Sequence, residues 1–310
     1  YGDCKGLTNY TKALLEAVGI TSYHTIVYAE RRRDIDSVFS SLEGNHMILN
    51  IPREDQDIWL ECTSQTAPFG FLGDFTDDRN VLVITPDGGV IKRTPAYKNE
   101  YNLQTTKAMV TLTSLGHLSG QFERISKGTQ YNEKSRLDLK TPEELSTYYK
   151  SAVWDYNNNL DVKDITLIND KDSIVLSEKM AVTIDNYGSI VGDDYLFRLN
   201  MFNRYSYIPK RYRNRALPLL VNRGFLDKDE YTIVLPKAYK LDVLPAPIRL
   251  ETQFGIYHVS VERINDATLL YKKYFLLKAG KYPKEAYKAY RKFLKRIAKY
   301  ENLRISIQKK

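Results

Sequence analysis

The sequence predicts an α+β protein: a mixed first domain over residues 1–97, then a β-rich domain over residues 98–310 with packed helices. Three observations predict it. Apolar residues recur at helical spacing directly after Cys4 and again near the C-terminus. Between them lie many runs that alternate polar and apolar, as half-buried strands do. The charge balance also changes near residue 98. Residues 1–97 hold 9 Lys+Arg against 14 Asp+Glu, and residues 98–310 hold 37 against 24.

Each element has a local reason. Leu7, Tyr10, Leu14, Leu15 and Val18 form a helical stripe, Asp3 is a suitable N-cap and Gly19 a stop, so Cys4 belongs to the first helical turn. Ser22–Ala29 reads as a strand. Residues 30–43 are charged and read as a surface loop with a helical turn at Asp36–Leu42. His46–Ile51 and Asp57–Thr63 are apolar runs joined by Pro52-Arg53-Glu54-Asp55-Gln56, a hairpin-like connection. Val81–Thr85 and Val90–Arg93 flank Pro86-Asp87-Gly88-Gly89 as a second hairpin, and Thr94-Pro95-Ala96 is the domain exit.

Beyond it, strands are expected over 99–115, 117–128, 162–169, 174–185, 193–200, 229–235, 248–254, 256–264, 268–278 and 304–308. A helix runs from Thr141, an N-cap with Pro142 and a capping-box Glu144, to about Tyr156. An amphipathic helix covers Pro283–Tyr300, with Tyr287, Tyr290, Leu294 and Ile297 on one side.

Composition narrows the function. The 310 residues suit two domains of ordinary size, and no apolar run approaches the roughly 18–20 residues that span a bilayer. No signal peptide is visible, and the chain lacks an initiator Met, which suggests a piece of a longer protein. Two cysteines, Cys4 and Cys62, do not make a disulfide scaffold, although a single bridge between them is open. The four histidines are scattered and no Cys-x-x-Cys pair occurs, so neither a structural zinc nor any cofactor is expected.

One constellation can carry chemistry. The thiolate is the reactive form of cysteine, and the unpaired N–H groups of a helix start favour it. A histidine on a neighbouring element can act as base, and an acid can hold its ring. His46 opens one strand and Glu61 ends the next, so an antiparallel pairing lets Glu61 reach His46. Singly each residue is ordinary: a cysteine at a helix start is more often a small packing residue. The order Cys4, His46, Glu61 gives the set its weight.

Tyr-Gly-Asp-Cys-Lys-Gly (1–6), Asn-His (45–46) and Trp-Leu-Glu-Cys-Thr-Ser (59–64) together resemble the bacterial transglutaminase-like superfamily, distantly related to papain-type cysteine proteases. The resemblance implies a partial papain-like core with Cys4 as nucleophile, His46 as base and Glu61 as orienting acid, acting on a peptide or protein substrate. Pro68-Phe69-Gly70, Leu72-Gly73-Asp74, Arg79 and Pro95 are similar to an uncharacterised bacterial subgroup in which a β-sandwich-like domain follows the core. Leu235-Pro236, Leu244-Pro245, Phe254-Gly255 and Gly280-Lys281-Tyr282-Pro283 extend that likeness. It further implies an extracytoplasmic location. Two features depart from the family. Glu61 stands where Asp is usual. The helices that normally precede the cysteine and supply an oxyanion donor lie upstream of Tyr1, so an upstream segment of the same protein is expected to complete the core. Cys62 should face the opposite side of its strand from Glu61 and serve packing.

In the second domain, the basic and aromatic run Arg204–Arg213 and the basic C-terminal helix suit an anionic partner. Their composition is too common to argue for nucleic acid, and a solvated helix face is the simpler reading. Asp193-Asp194 alone does not define a cation site. The alternatives to an enzyme are a catalytically inactive transglutaminase-like scaffold and a protein-binding module.

Overall fold

The computed structural model describes residues 2–39, 43–241 and 243–310. The chain forms two compact units. The first comprises Tyr1–Lys98 with Lys127–Arg136 and Asn169–Val175, and the second comprises Asn99–Ser126, Leu137–Ile168 and Leu176–Lys310.

The first unit contains helix α1 (Cys4–Ala17) and strands β1 (Tyr23–Val27), β2 (His46–Ile51), β3 (Ile58–Leu60), β4 (Asn80–Thr85) and β5 (Gly88–Arg93). They form one antiparallel sheet in the order β3-β2-β1-β4-β5. The two local hairpins are β2–β3 and β4–β5, and β1 lies between them. Val27, Ile48, Trp59, Leu72, Val81 and Val83 pack into its core. The β-branched residues there suit a pleated surface buried on one face.

Helix α1 begins where its chemistry allows. Asp3 has extended backbone and its side chain accepts from Lys5 N–H at 3.1 Å, a cap worth about 1 kcal/mol. The side of α1 that packs differs from the one the apolar stripe suggests. Thr8 is its fully buried residue, and Tyr10, Leu14 and Val18 are exposed. Thr8 Oγ1 donates to Met47 O at 3.1 Å, which fixes the first half of α1 against the start of β2. The helical turn expected at Asp36–Leu42 is absent over 36–39, and residues 40–42 lie outside the described residues. Asp36 Oδ1 instead accepts from Val38 N–H and Phe39 N–H, at 2.8 and 2.9 Å. Such an Asx turn competes with helix for the same donors.

The second unit is organised around most of an eight-stranded sheet, with strands in the order 248–252, 255–265, 268–277, 225–234, 103–112, 118–127, 175–184 and 160–170. Strands 225–234 and 103–112 run parallel, and the hairpins around them are antiparallel. A four-stranded sheet (189–191, 194–198, 304–309, 239–240) and a pair (219–221 with 280–282) complete it. The capping box at Thr141 forms, and helix Pro142–Tyr148 continues as a π-helical segment to Val153. The C-terminal helix Tyr287–Glu301 buries Tyr287, Tyr290, Phe293, Leu294, Ile297, Ala298 and Glu301.

The α+β expectation, with its partial papain-like core, is therefore corrected. Strands hold 41% of the residues and helices 17%, so the protein is mostly β. The physical reason lies in the segments themselves. Alternating runs of ten or eleven residues outnumber helical stripes, and the expectation gave more weight to one helix after Cys4 than to them.

Candidate active site

Cys4 is the first residue of α1 and is partly exposed. Gly2 lets the chain fold back on that first turn: a Cβ there would lie 3.3 Å from Gly6 Cα. At the first helical position the Cys4 N–H has no acceptor within the helix. Cys4, Thr8 and Thr11 share one stripe of α1, since residues four and seven apart lie on one face. Thr8 meets the Met47 carbonyl, and both threonine hydroxyls lie near enough to the Cys62 thiol to pull its pKa down. The stripe that carries Cys4 is thus the one turned toward the residues beside His46 and Glu61.

His46 begins β2 through a constrained approach. Gly44 has φ +132°, and a Cβ there would collide with the Ile26 side chain at 2.4 Å, so only glycine fits. Asn45 N–H donates to Val27 O at 3.1 Å and its Oδ1 accepts from Ala29 N–H at 2.7 Å. Both bonds fix the turn that delivers His46.

Glu61 follows β3 directly. The register pairs Leu49 with Leu60 and Asn50 with Trp59. Continued by one residue it sets Glu61 opposite Ile48, diagonal to His46 on the same face, a separation that long side chains bridge. His46 Nε2 lies 2.8 Å from Glu61 Oε2, and the two side chains are 9% and 8% exposed. The other oxygen, Oε1, accepts from Thr63 N–H at 2.9 Å and from the Thr63 hydroxyl. Burial pushes the Glu61 carboxyl up, but its bonds to His46 and Thr63 outweigh that and hold it below its ordinary value. A carboxylate at Oε2 selects the His46 tautomer with hydrogen on Nε2. Nδ1 is then the lone-pair nitrogen. Phe75 meets the imidazole edge-on, with ring centroids 5.3 Å apart, and closes one side of it. Thr63 and Phe75 join the site beyond the three residues expected there. Thr63, two residues after an acid, was a visible signal. Phe75 is brought in by a loop and left none.

Cys62 is a free thiol, as is Cys4, so no disulfide joins them. Burial raises the Cys62 thiol above its ordinary value, against the pull of the Thr11 and Thr8 hydroxyls. Among the described residues Cys4 Sγ has no hydrogen-bond partner, and no group of three or more His, Cys, Asp and Glu side chains is placed to hold a metal. No described helix is long and apolar enough to cross a membrane.

The other candidate features separate. Arg204 is absorbed by packing: it lies 4.0 Å from the Tyr156 ring centroid and donates to Asn200 O. Tyr205 packs on Phe225 and Phe275. Asp194 lies in a strand pair opposite Gln308, and the carbonyl of Asp193 accepts from Lys309 N–H.

Residues 193–307 match the family model of a domain of unknown function with solved structure, DUF3858. Among solved structures, the chain is similar to a crystal structure of a proposed protease from Parabacteroides distasonis. The identity is 12% and the TM-score 0.49, over 99% of this chain and 44% of the other. The chain thus spans less than half the length of that protein. No curated protein matches the sequence.

Proposed function

We propose that the protein is a transglutaminase-like cysteine hydrolase or acyl transferase acting on peptide or amide bonds. One observation carries the reading: Glu61 holds His46 through Nε2, which leaves Nδ1 as the base on the strand end against which the Cys4 stripe packs.

In this reading Nδ1 takes the Cys4 proton, and the thiolate attacks the substrate carbonyl carbon. The developing oxyanion accepts from the Cys4 N–H. When the C–N bond breaks, the imidazolium returns its proton to the leaving amine, and a thioester remains on Cys4. Water or a second amine, deprotonated by the same imidazole, then attacks the thioester and releases the thiol. Glu61 stays ionised throughout and stabilises the imidazolium. The partner is a peptide or protein segment, and the family resemblance points to an extracytoplasmic setting.

The test is release of new N-termini from a mixed peptide library, with transfer to an added primary amine scored in parallel. Cleavage or transfer that survives Cys62→Ala and is lost in Cys4→Ala supports the proposal. Turnover unchanged by Cys4→Ala, or none at all when the upstream segment is supplied and the fold is intact, favours the inactive scaffold.

A further inference from the structure

Away from Cys4, the second unit carries a basic groove of about 1170 Å³ between residues 211–215 and the outer face of the 284–295 segment. Eight cationic side chains line it, among them Arg211, Arg213, Lys288, Arg291, Lys292 and Lys295, against the single acid Glu285. Among the described residues none of the eight is ion-paired. Elsewhere cations have partners: Arg93 with Asp78, Lys150 with Asp161, Arg249 with Glu251, Lys272 with Glu262. Unrelieved like charge around one concavity is costly, and a bound polyanion relieves it.

The walls are built by packing. Tyr287 Oη donates to Lys210 O at 2.6 Å and Arg291 Nε to Pro209 O at 2.8 Å, so the 209–215 segment is tied to the helix. Arg215 lies 4.4 Å from the Tyr287 ring centroid. Its Nη2 donates to Pro218 O, and its shielded Nε has no acceptor.

We propose that this groove binds an extended, carboxylate-rich polypeptide segment. Four observations select that occupant. The volume exceeds the roughly 300–1,000 Å³ of a small-molecule pocket, so a length of polymer fits better. Lys288 and Lys292, like Arg291 and Lys295, are four residues apart, about 6 Å along the helix axis. Side chains on one face of an extended peptide repeat at about 6.6 Å, so acids at alternate positions meet this ladder in register. Of the two lining rings, Tyr287 is buried under Arg215 and only Tyr212 stays exposed. The groove therefore offers one stacking platform where single-stranded nucleic-acid sites stack successive bases on several. Both tryptophans, Trp59 and Trp154, are buried, so neither can anchor a membrane interface.

Fluorescence anisotropy tests this with a labelled twelve-residue peptide of alternating Glu and Ala. Its Lys–Ala counterpart, oligo(dT) and phosphatidylglycerol vesicles serve as comparisons. The acidic peptide is expected to bind, more weakly with added salt. Lys288→Glu with Lys292→Glu, both at exposed positions, should weaken it at least about tenfold. Lys299→Glu, on the same helix but outside the groove, should change it less than about twofold. The proposal is overturned if the acidic peptide does not bind at low salt, if Lys299→Glu costs as much as the paired reversal, or if the oligonucleotide or the vesicles bind more tightly.

Discussion

His46 Nε2 and Glu61 Oε2 are 2.8 Å apart, and the second Glu61 oxygen is taken by Thr63. Both carboxylate oxygens are thus fixed, and in the proposed mechanism the imidazole presents Nδ1 to the Cys4 thiol. The extra methylene of Glu relative to Asp is what lets a residue beyond β3 reach a diagonal partner. Glu61→Asp should therefore lower the alkylation rate of Cys4 by at least about tenfold, the low end of what a positioned base contributes. Glu61→Gln should also lower it, because an amide can favour the wrong tautomer. The rate of Cys4 modification, followed by mass spectrometry from pH 5 to 9, checks both.

The two thiols should behave oppositely. Burial raises the Cys62 thiol, with Glu61 beside it adding to the effect. Cys62 should be modified slowly at pH 7 and faster only at alkaline pH. Cys62→Ala should leave Cys4 reactivity unchanged and cost about 1 kcal/mol of stability through lost packing against Thr8 and Thr11, measured by urea unfolding.

Arg124 and Glu178 form a buried two-bond pair, with Nε to Oε2 and Nη2 to Oε1 both at 2.5 Å, and Tyr149 Oη donates to Glu178 Oε1 at 2.6 Å. Removing one member strands the other charge away from water. Arg124→Ala should cost about 3–5 kcal/mol. Arg124→Met with Glu178→Leu and Tyr149→Phe should recover most of that. Chemical denaturation of the single and triple variants measures it, and a single-variant cost below about 1 kcal/mol would show that the pair is solvated.

Glu301, at the end of the C-terminal helix, shares a dry cluster with Lys273 and Asp229. Lys273 Nζ is 2.7 Å from Asp229 Oδ2 and 3.5 Å from Glu301 Oε1. Burial drives the Glu301 carboxyl up, Lys273 opposes this, and Asp229 adds to it, so that it is pushed up to about 7 from an ordinary 4.5. Folded protein then holds a proton that unfolded chain releases above 4.5. The associated stability, on the order of 3 kcal/mol, is complete below pH 4.5 and is lost as the pH rises through 7. Glu301→Gln should remove that slope, so its Tm should change less than the wild-type Tm between pH 5 and 8.5. An equal change in both would assign the slope to other groups.

Local chemistry was legible in the sequence, and distant polar pairing was not. Asp3 and Thr141 announce helix starts because a cap acts over two or three residues. The closeness of His46 and Glu61 is also local, since one short hairpin sets it. By contrast, the parallel pairing of 103–112 with 225–234 joins segments more than a hundred residues apart, and no turn signal encodes it. Asp229 sits in the charged run Asp227-Lys228-Asp229-Glu230 and Lys273 beside Lys272, so both read as solvent-facing, yet both side chains are fully buried. Their pairing with each other across the strands, with Asn203 bonded to both and Glu301 of the C-terminal helix beside them, makes that burial tolerable. The α1 stripe misled for a related reason. Periodicity shows that a helix has an apolar side, not which side the sheet takes, and here Thr8 is taken because its hydroxyl satisfies the Met47 carbonyl.

Activation of Cys4 by His46 is read most directly from the rate of Cys4 alkylation by iodoacetamide at pH 7 in the wild type and in His46→Ala. Wild-type Cys4 should react at least about tenfold faster than Cys62, and His46→Ala should remove most of this advantage while leaving the Cys62 rate unchanged. Equal rates at the two cysteines in the wild type, or a Cys4 rate indifferent to His46→Ala, would contradict it.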